Sequence, residues 1–354
     1  MKASFTALLL KWNEEINDRK MPWKGEKDPY KIWLSEVILQ QTRVEQGWNY
    51  YEKFISKYPS IKHLARAKDE DAFKLWEGLG YYSRCKNLLY TAREIAINHK
   101  GVFPNAYDDI LKLKGVGPYI ASAIASFAYQ LPYAVLDGNV LRVLSRIYGI
   151  ETPIDSNEGK KEFTALAQRN LDKKSPDKYN QAIMDFGATV CKPVPLCSIC
   201  PMKKICGAYK EGLVNHLPVK EKVLQKKLRW FYYFLFEIDG KFLIHKRTGK
   251  DIWQNLFEFY CFESADEIKW NGELIKNWLR QQLEVRRYEL LETSPVYIQQ
   301  LTHQKIKGQF VRFRLGAVPK SLTHYTLAGA KELKKLPFPK FINQYLEETQ
   351  LRIF

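Results

Sequence analysis

Cysteine and long apolar runs are both scarce in this sequence. Six cysteines among 354 residues are too few for a fold held together by disulfides. No segment reaches the ~20 consecutive apolar residues that a membrane-spanning helix needs, since the most apolar stretch, 120–136, is interrupted by Gln130 and Pro132. The apolar residues 3–10 are not followed by a cleavage site and are predicted to form an amphipathic helix rather than a signal peptide. We therefore expect a cytoplasmic protein with no membrane partner.

Acidic residues are also fewer than basic residues. The chain has 56 Lys and Arg against 39 Asp and Glu, a net charge of +17, and both halves share the excess. This distribution favours a polyanion such as nucleic acid as the partner, although a basic globular protein without such a partner is the plain alternative. With 45% apolar and 27% charged residues, a chain of this length is expected to form two ordered domains.

The pattern of apolar residues changes near residue 229. Residues 1–190 show the three- and four-residue spacing of helices, separated by X-Pro turn signals. After residue 229, aromatic runs lie on both sides of Asp239-Gly240, as in a β-hairpin. We predict an all-α domain over 1–212 that ends in a cysteine-rich segment, 191–206, then a linker over 213–228 and an α+β domain over 229–354.

Four of the cysteines form one closely spaced group: Cys191, Cys197, Cys200 and Cys206. Such a group in an intracellular protein indicates a metal rather than disulfides. The single central C-x2-C pair with wider flanking gaps suits a cubane iron–sulfur cluster better than zinc, which more often has two such pairs. The spacing alone leaves a zinc site and unligated thiols open.

Two further segments carry candidate chemistry. Gly115-Val116-Gly117 precedes a helical run, so its backbone N–H groups suit an anion such as a phosphate, although a plain turn between helices is an equal alternative. Further along the chain, Asp137 lies between an apolar run and Gly138. It is either a buried functional acid or a helix N-cap.

Glu36 stands among apolar residues of a predicted helix. Ile32 and Leu39 share its face at helical spacing, so its carboxyl group is expected to have a raised pKa that suits a general acid. The alternative is a solvated glutamate whose apolar neighbours face the other way.

Together these residues resemble the helix-hairpin-helix DNA glycosylases of the endonuclease III superfamily, and within it the adenine DNA glycosylases. The shared elements follow the family's order over about residues 5–210 and include Pro22-Trp23, Pro29 to Glu36, Gln40 to Thr42, Gly78 to Tyr82, Gly115 to Gly117, Leu136 to Asn139 and the four cysteines. Residues 252–259 resemble the C-terminal domain of the family. The resemblance implies a multi-domain protein, with an all-α helix-hairpin-helix glycosylase domain that contains an iron–sulfur cluster loop and a C-terminal α+β Nudix-like domain.

The resemblance also implies the chemistry. The four cysteines would hold a [4Fe-4S] cluster, although the first gap has five residues where the family usually has six. Glu36 would protonate adenine N7, while Asp137 would stay ionised and stabilise the sugar cation, supported by Asn139 and Tyr119. Tyr119 stands where the lyases of the superfamily have a lysine that forms a Schiff base. We therefore expect a monofunctional glycosylase.

The remaining roles implied by the resemblance concern recognition. Trp23, Lys24 and Gln181 would form the adenine pocket, and Gln41 and Tyr81 would be wedges at the lesion. Gly115, Val116 and Gly117 would bind DNA. Leu301, Thr302 and His303 would contact 8-oxoguanine. Thr302 keeps the hydroxyl that a serine supplies in relatives. Residues 265–280 lack the carboxylates with which Nudix hydrolases bind Mg²⁺, so no nucleotide hydrolysis is expected.

The expected substrate is adenine opposite 8-oxoguanine or guanine in double-stranded DNA. The base would be flipped out of the stack and removed by a monomer at the bacterial nucleoid, as the first step of base excision repair. A thymine or uracil mismatch glycosylase of the same fold is the alternative, but it would not need residues 229–354. A non-enzymatic DNA-binding protein is the third candidate, and the presence of both Glu36 and Asp137 argues against it.

Overall fold

The chain forms two compact units. The structure is a computed structural model that describes residues 4–221 and 226–351. Within these ranges, the first unit contains residues 4–67 and 86–221, and the second contains residues 68–85 and 226–351.

Helices build the first unit. In chain order, the helices up to residue 210 are α1 Phe5–Glu15, α2 Pro29–Leu39, α3 Val44–Lys57, α4 Ile61–Ala65, α5 Asp69–Leu75, α6 Ser83–Asn98, α7 Tyr107–Lys112, α8 Pro118–Tyr129, α9 Gly138–Tyr148, α10 Asn157–Asn170, α11 Pro176–Thr189 and α12 Gly207–Lys210. All but α5 and the start of α6 belong to the first unit. Their apolar faces pack around buried residues that include Leu9, Trp12, Phe163 and Phe186, which confirms the all-α prediction. Across the described ranges, no helix has the length and apolar character needed to cross a bilayer.

Local sequence signals explain where two important helices begin. α2 starts with Pro29 after Asp28, whose carboxylate accepts the Tyr30 N–H at 2.9 Å. Proline at the first helical position and aspartate before it are both favoured there. α9 starts after Asp137, which accepts the Val140 N–H at 2.7 Å. The N-cap alternative for Asp137 is therefore correct as a description of its structure.

A mixed sheet forms the centre of the second unit. Its strands are β1 Lys227–Ile238, β2 Lys241–Lys246, β3 Phe257–Glu258, β4 Tyr260–Ser264, β5 Glu289–Thr293, β6 Tyr297–Gln300, β7 Gln304–Arg314 and β8 Thr326–Ala328, with helices α13 Gly272–Leu283, α14 Ala330–Leu333 and α15 Lys340–Glu348. The order is β3-β2-β1-β7-β5, with β1 and β7 parallel. β1 and β2 form the predicted hairpin, whose turn residues Asp239 and Gly240 have φ angles of 49° and 72°, as a two-residue turn of this kind requires. The predicted α+β class is confirmed.

Residues 68–85 pack with the second unit, although they lie inside the first domain expected from the sequence. The Phe338 N–H donates to Glu77 at 3.1 Å, and Lys74 donates to the Leu336 carbonyl at 3.2 Å. These bonds join residues more than 250 positions apart. Neither helical periodicity nor turn composition indicates such a contact.

The segment interpreted as a linker, 213–228, is ordered at both described ends. Leu217 is 1% exposed, and its carbonyl accepts a hydrogen bond from Arg146 at 3.0 Å. The Val219 carbonyl accepts the Ile154 N–H at 3.0 Å, while β1 already begins at Lys227. Residues 213–221 thus belong to the first unit, because buried contacts rather than periodic secondary structure hold them there.

Candidate active site

A cavity of about 330 Å³ opens in the first unit. Its lining includes all the predicted catalytic and adenine-pocket residues, namely Trp23, Lys24, Glu36, Tyr119, Asp137, Asn139 and Gln181. Two of them lie in the loop before α2, and Asp137 lies in the turn that starts α9. The others lie on α2, α8, α9 and α11. A cavity of this size is at the small end of ligand sites and suits a group the size of a base.

Glu36 lies on α2 with its carboxyl group removed from water. The residue is 6% exposed, and burial raises the pKa of its carboxyl group to about 7. The hydrogen bond from Tyr119 acts in the opposite direction, and the negative charge of Asp137 adds to the rise. At neutral pH this carboxyl group therefore holds a proton for a large fraction of the time, as a general acid must.

Tyr119 is the direct partner of Glu36. Its hydroxyl donates to Glu36 Oε2 at 2.7 Å and also lies 3.5 Å from the sulfur of Met184. Tyr119 is the second residue of α8, so the turn that starts this helix determines where the ring points. Burial and the charges of Glu36 and Asp137 raise the pKa of the Tyr119 hydroxyl, which keeps it a hydrogen-bond donor.

Asp137 presents the second carboxylate. One oxygen accepts the Val140 N–H at 2.7 Å, and the other accepts from the Asn139 amide at 2.9 Å. The pKa of Asp137 is raised overall, because burial outweighs these hydrogen bonds and the charge of Arg142, which lower it. The two carboxyl groups of the cavity thus differ in environment, since Glu36 has one hydroxyl partner and Asp137 is held by several donors at a helix N-terminus.

Arg142 extends this arrangement along α9 toward the cysteine segment. Its guanidinium donates to Asn139 Oδ1 at 2.8 Å, to the Gly187 carbonyl at 2.8 Å and to the Cys191 carbonyl at 2.9 Å. Arg142 is not among the residues predicted from the sequence. Its position one helical turn after Asn139 was the available signal.

Trp23 and Gln181 form part of the cavity wall. Trp23 is 8% exposed, and its ring meets Tyr51 edge to face at 5.3 Å. Gln181 donates from Nε2 to Asp185 at 3.0 Å, and the Lys24 ammonium contacts the same carboxylate at 3.0 Å. Asp185 was not predicted from the sequence either, although it is an acid within the apolar run 183–186, one turn after Gln181. The same kind of signal indicated Glu36.

The glycine hairpin lies between α7 and α8. Gly115 has φ +80°, and a Cβ there would lie 2.8 Å from the Cβ of Asn87, so glycine is required. The Val116 side chain is 7% exposed, and its N–H donates to the Leu113 carbonyl at 3.1 Å. Gly117 is the N-cap of α8 and has no side chain to accept the first N–H groups of the helix. The start of α8 therefore offers N–H groups to an anion, whereas the Val116 N–H already has a backbone partner. DNA binding by Gly115, Val116 and Gly117 stays a prediction.

The cysteine segment places its thiols near one another. Cys191 follows α11, and Cys206 is the N-cap of α12. Burial, together with the other three thiols of the group, raises the pKa of Cys200 to about 11. Burial also raises the pKa values of Cys191 and Cys206, again with contributions from the other thiols.

Positive and N–H groups surround the same thiols. Arg146 is 3% exposed, and its Nη1 lies 3.7 Å from the sulfur of Cys191. The backbone N–H groups of Tyr209 and Ala208 lower the pKa of Cys206. Among the described residues, no three Cys, His, Asp or Glu side chains surround a single-ion position. Four thiols with a buried cation and N–H donors nevertheless form a donor set that fits a thiolate-bound cluster.

The predicted wedge residues share an uncommon backbone conformation. Gln41 follows α2 with φ 58°, and Tyr81 precedes α6 with φ 46°. Non-glycine residues rarely adopt positive φ, at a cost of ~1 kcal/mol or more each, and such residues are concentrated at functional sites. Both side chains are exposed, so neither conformation serves to bury an apolar group.

The predicted 8-oxoguanine residues form the tip of a hairpin in the second unit. Leu301, Thr302 and His303 connect β6 to β7, and the last two are exposed. The hydroxyl of Tyr81, which belongs to the same unit, is hydrogen-bonded to that of Thr302. The structure thus joins a predicted wedge to the predicted reading loop, a contact that the sequence did not indicate.

Comparison with known proteins gives matches to both parts of the chain. A family model described as HhH-GPD superfamily base excision DNA repair protein matches residues 34–169, and one described as NUDIX domain matches residues 231–348. The adenine DNA glycosylase of Buchnera aphidicola subsp. Schizaphis graminum (strain Sg) is 34% identical over 95% of this chain and 89% of its own. That of Buchnera aphidicola subsp. Acyrthosiphon pisum (strain APS) is 37% identical over 75% of this chain and 76% of its own.

A solved structure supports the fold of the first unit. A thermostable thymine-DNA glycosylase superimposes with a TM-score of 0.55 at 28% identity, over 58% of this chain and 95% of its own. The fold and the matched families define a helix-hairpin-helix base excision repair enzyme with a Nudix-like second domain. The chain belongs to the adenine DNA glycosylase family, whose members hydrolyse glycosyl bonds. The resemblance inferred from the sequence is confirmed.

The burial of Glu36 has a measurable cost above neutral pH. Its pKa rises from 4.5 in the unfolded chain to about 7, so the folded state binds the extra proton between these values and loses stability as the pH rises through 7. At pH 8 we expect Glu36→Gln to have a free energy of unfolding up to ~3 kcal/mol higher than the unsubstituted protein. Urea unfolding measures this difference. This difference should vanish near pH 4.5.

Glu162→Gln, on the exposed face of α10, is the matched control and should show no such pH-dependent gain. A Glu36→Gln protein that is no more stable than the unsubstituted protein at pH 8 would contradict the assigned burial of the charge.

Proposed function

We propose that this protein releases adenine opposite 8-oxoguanine, and opposite guanine, from double-stranded DNA, and that it does so as a monofunctional glycosylase. The observation that carries the proposal is the pair of unlike carboxyl groups in one base-sized cavity, with Glu36 bonded to Tyr119 and Asp137 held by several donors. The names of the two relatives supply the base, adenine. We further propose a monomer that acts in the cytoplasm at the nucleoid.

Glu36 acts as the general acid in this proposal. Departure of the base as an anion is slow, and a proton delivered to adenine N7 makes it a neutral leaving group. A carboxyl group with a pKa of about 7 holds that proton at neutral pH and transfers it readily. The Tyr119 hydroxyl orients the acid through Oε2, which leaves Oε1 for the base.

Asp137 stabilises the sugar cation that forms as the bond breaks. The hydrogen bonds from Val140 and Asn139 favour its ionised form and fix the direction of its oxygens. A preorganised carboxylate beside a developing positive charge is worth several kcal/mol in a cavity with little water. Water then completes the hydrolysis. Because Tyr119 has no amine, this chain lacks the Schiff-base route at that position.

The cysteines would hold a [4Fe-4S] cluster. Two observations support this assignment. The other three thiols lie close enough to Cys200 to raise its pKa, and the cation of Arg146 lies beside the Cys191 sulfur. A bound cluster would supply a thiolate-anchored crosslink and a redox-active centre. The Arg142 contacts with Asn139 and the Cys191 carbonyl connect this segment to the cavity residues.

Recognition of the opposite base would fall to the second unit. Thr302 and His303 are exposed at a hairpin tip, and Tyr81 orients the Thr302 hydroxyl. Phosphates would be held by the start of α8 after Gly117, and the net charge of +17 favours duplex binding that weakens with salt.

A thymine mismatch glycosylase is the second candidate, because the structural relative described above has that name. That match covers 58% of this chain, whereas the match to the adenine DNA glycosylase of Buchnera aphidicola subsp. Schizaphis graminum covers 95%. The longer match favours adenine.

Single-turnover base release tests the proposal. Duplexes with one A:8-oxoguanine, A:G, T:G or A:T pair are incubated with excess protein, and half of each reaction is treated with alkali. We expect fastest adenine release from A:8-oxoguanine and strand cleavage only after alkali. Glu36→Gln and Asp137→Asn should each slow release by ~10²-fold or more while keeping duplex affinity, because neither change removes a phosphate contact.

Each contrary outcome points to a different error. Faster release from T:G would favour the thymine enzyme. Cleavage without alkali would contradict the monofunctional assignment. Tight binding without base release from any duplex would support a non-enzymatic DNA-binding protein.

Metal analysis tests the cluster assignment. Protein purified without oxygen should contain about four irons and four sulfides per chain, and Cys200→Ser should lose most of both, since one ligand is removed. Cys85→Ala is the matched control because Cys85 is buried outside the cysteine segment, and it should keep the iron. Zinc in place of iron, or iron unaffected by Cys200→Ser, would contradict the assignment.

Substitution of Thr302 tests the reading loop. Thr302→Val keeps the shape of the side chain and removes the hydroxyl that Tyr81 contacts. We expect adenine release from A:8-oxoguanine to slow by about tenfold, as for the loss of one hydrogen bond, with little change for A:G. Thr326→Val, at an exposed position of β8, should leave both rates unchanged. Equal slowing on the two duplexes would contradict a role in reading the oxidised base.

A further inference from the structure

Asp185 stands behind the wall of the cavity. Its side chain on α11 has 0% exposure, and it accepts hydrogen bonds from four side chains. Arg19 and Gln181 contact Oδ1 at 2.9 and 3.0 Å, and Lys24 and Asn17 contact Oδ2 at 3.0 and 2.9 Å. Arg19, Lys24 and Gln181 line the cavity, whereas Asp185 does not. Any influence of Asp185 on a bound base therefore passes through these three side chains.

The charged partners determine what Asp185 can offer Gln181. Arginine and lysine side chains have donors only, and one of them contacts each oxygen of Asp185. Both oxygens must therefore be acceptors. Gln181 can satisfy Oδ1 only with its NH2 group, which fixes the otherwise ambiguous orientation of its amide. In the described part of the chain, no group donates to Gln181 Oε1, so this oxygen is the atom that the amide leaves for the cavity.

We propose that Asp185 makes the cavity selective for a base with an exocyclic amine by locking the Gln181 amide with its oxygen toward the base. Adenine carries an amino group at C6 that can donate to this oxygen. Hypoxanthine carries a carbonyl oxygen at the same place, and two acceptors facing each other without a proton between them are unfavourable. This inference rests on the proposed release of adenine and adds the device that selects it.

Substitution of Asp185 by asparagine separates this role from simple support. An asparagine at 185 can donate or accept, so the Gln181 amide is free to turn and offer its NH2 group to a carbonyl. We expect the preference for adenine over hypoxanthine, each opposite 8-oxoguanine, to fall by about tenfold or more in single-turnover release. The ratio of the two rates is the measured quantity because it cancels any general loss of activity.

Two further variants accompany Asp185→Asn. Asn17→Ala removes a donor from the other oxygen of Asp185 and leaves the bond to Gln181 in place, so it should keep the preference of the unsubstituted enzyme. Gln181→Leu removes the amide itself and should lower the preference on its own. In the Gln181→Leu background, Asp185→Asn should change the preference no further, because both changes act on the same contact.

The outcomes distinguish this inference from the proposed function. If the unsubstituted enzyme releases no adenine, the proposed function fails and the inference fails with it. If adenine is released but Asp185→Asn slows both bases equally, Asp185 is a structural residue and only the inference is overturned. If Asp185→Asn does not fold, the other two variants decide. An unchanged preference for adenine in Gln181→Leu overturns the inference. A preference that is lost in Gln181→Leu and kept in Asn17→Ala supports it.

Discussion

Exclusion of water from the Glu36 carboxyl group is the constraint on which the first unit depends. Among the described residues, no cation contributes to the pKa of this carboxyl group, and burial raises that pKa to about 7. The hydroxyl of Tyr119 lies beside it, because α8 begins at Pro118, immediately after the turn of the glycine hairpin. The position of one desolvated carboxyl group thus links α2, the hairpin and α8.

Helix α9 connects the other parts of the site. Its N-cap is Asp137, its second residue is Asn139, and one turn later Arg142 reaches the Cys191 carbonyl. Arg146, a further turn along, lies beside the Cys191 sulfur. A single rigid helix therefore bears both the second acid of the cavity and the cations that contact the cysteine segment. Only a few hydrogen bonds separate that segment from Asp137, so a displacement of the segment would shift Asp137 as well.

Two buried acids of the first unit illustrate how environment decides role. Glu36 has one hydroxyl partner in an apolar setting, and burial raises its pKa to about 7. Asp185 is also buried, but it contacts Arg19 and Lys24 directly, so both of its oxygens act as acceptors. In our proposals, the same functional group is a proton donor at one position and a fixed acceptor that orients a neighbouring amide at the other.

The sequence by itself determined the features that depend on local order. Helical spacing located α2 around Glu36, and the two glycines indicated the turn before α8. The Asp239-Gly240 pair specified the hairpin, and the close spacing of four cysteines predicted one thiol-rich segment. These features can be predicted from the sequence because helix propensity, turn geometry and the spacing of neighbouring thiols depend on residues close in the chain.

The tertiary structure alone decided the contacts between distant residues. It brought Arg19 and Lys24 to the Asp185 carboxylate and Arg142 to the Cys191 carbonyl. It also packed residues 68–85 with the second unit and joined Tyr81 to Thr302 across more than 200 positions of the chain. Such bonds form only after the helices and strands have packed, because their geometry depends on where whole elements come to rest. A pattern along the chain can single out a residue such as Asp185 or Arg142 as a candidate, but it does not show which distant residue that side chain contacts.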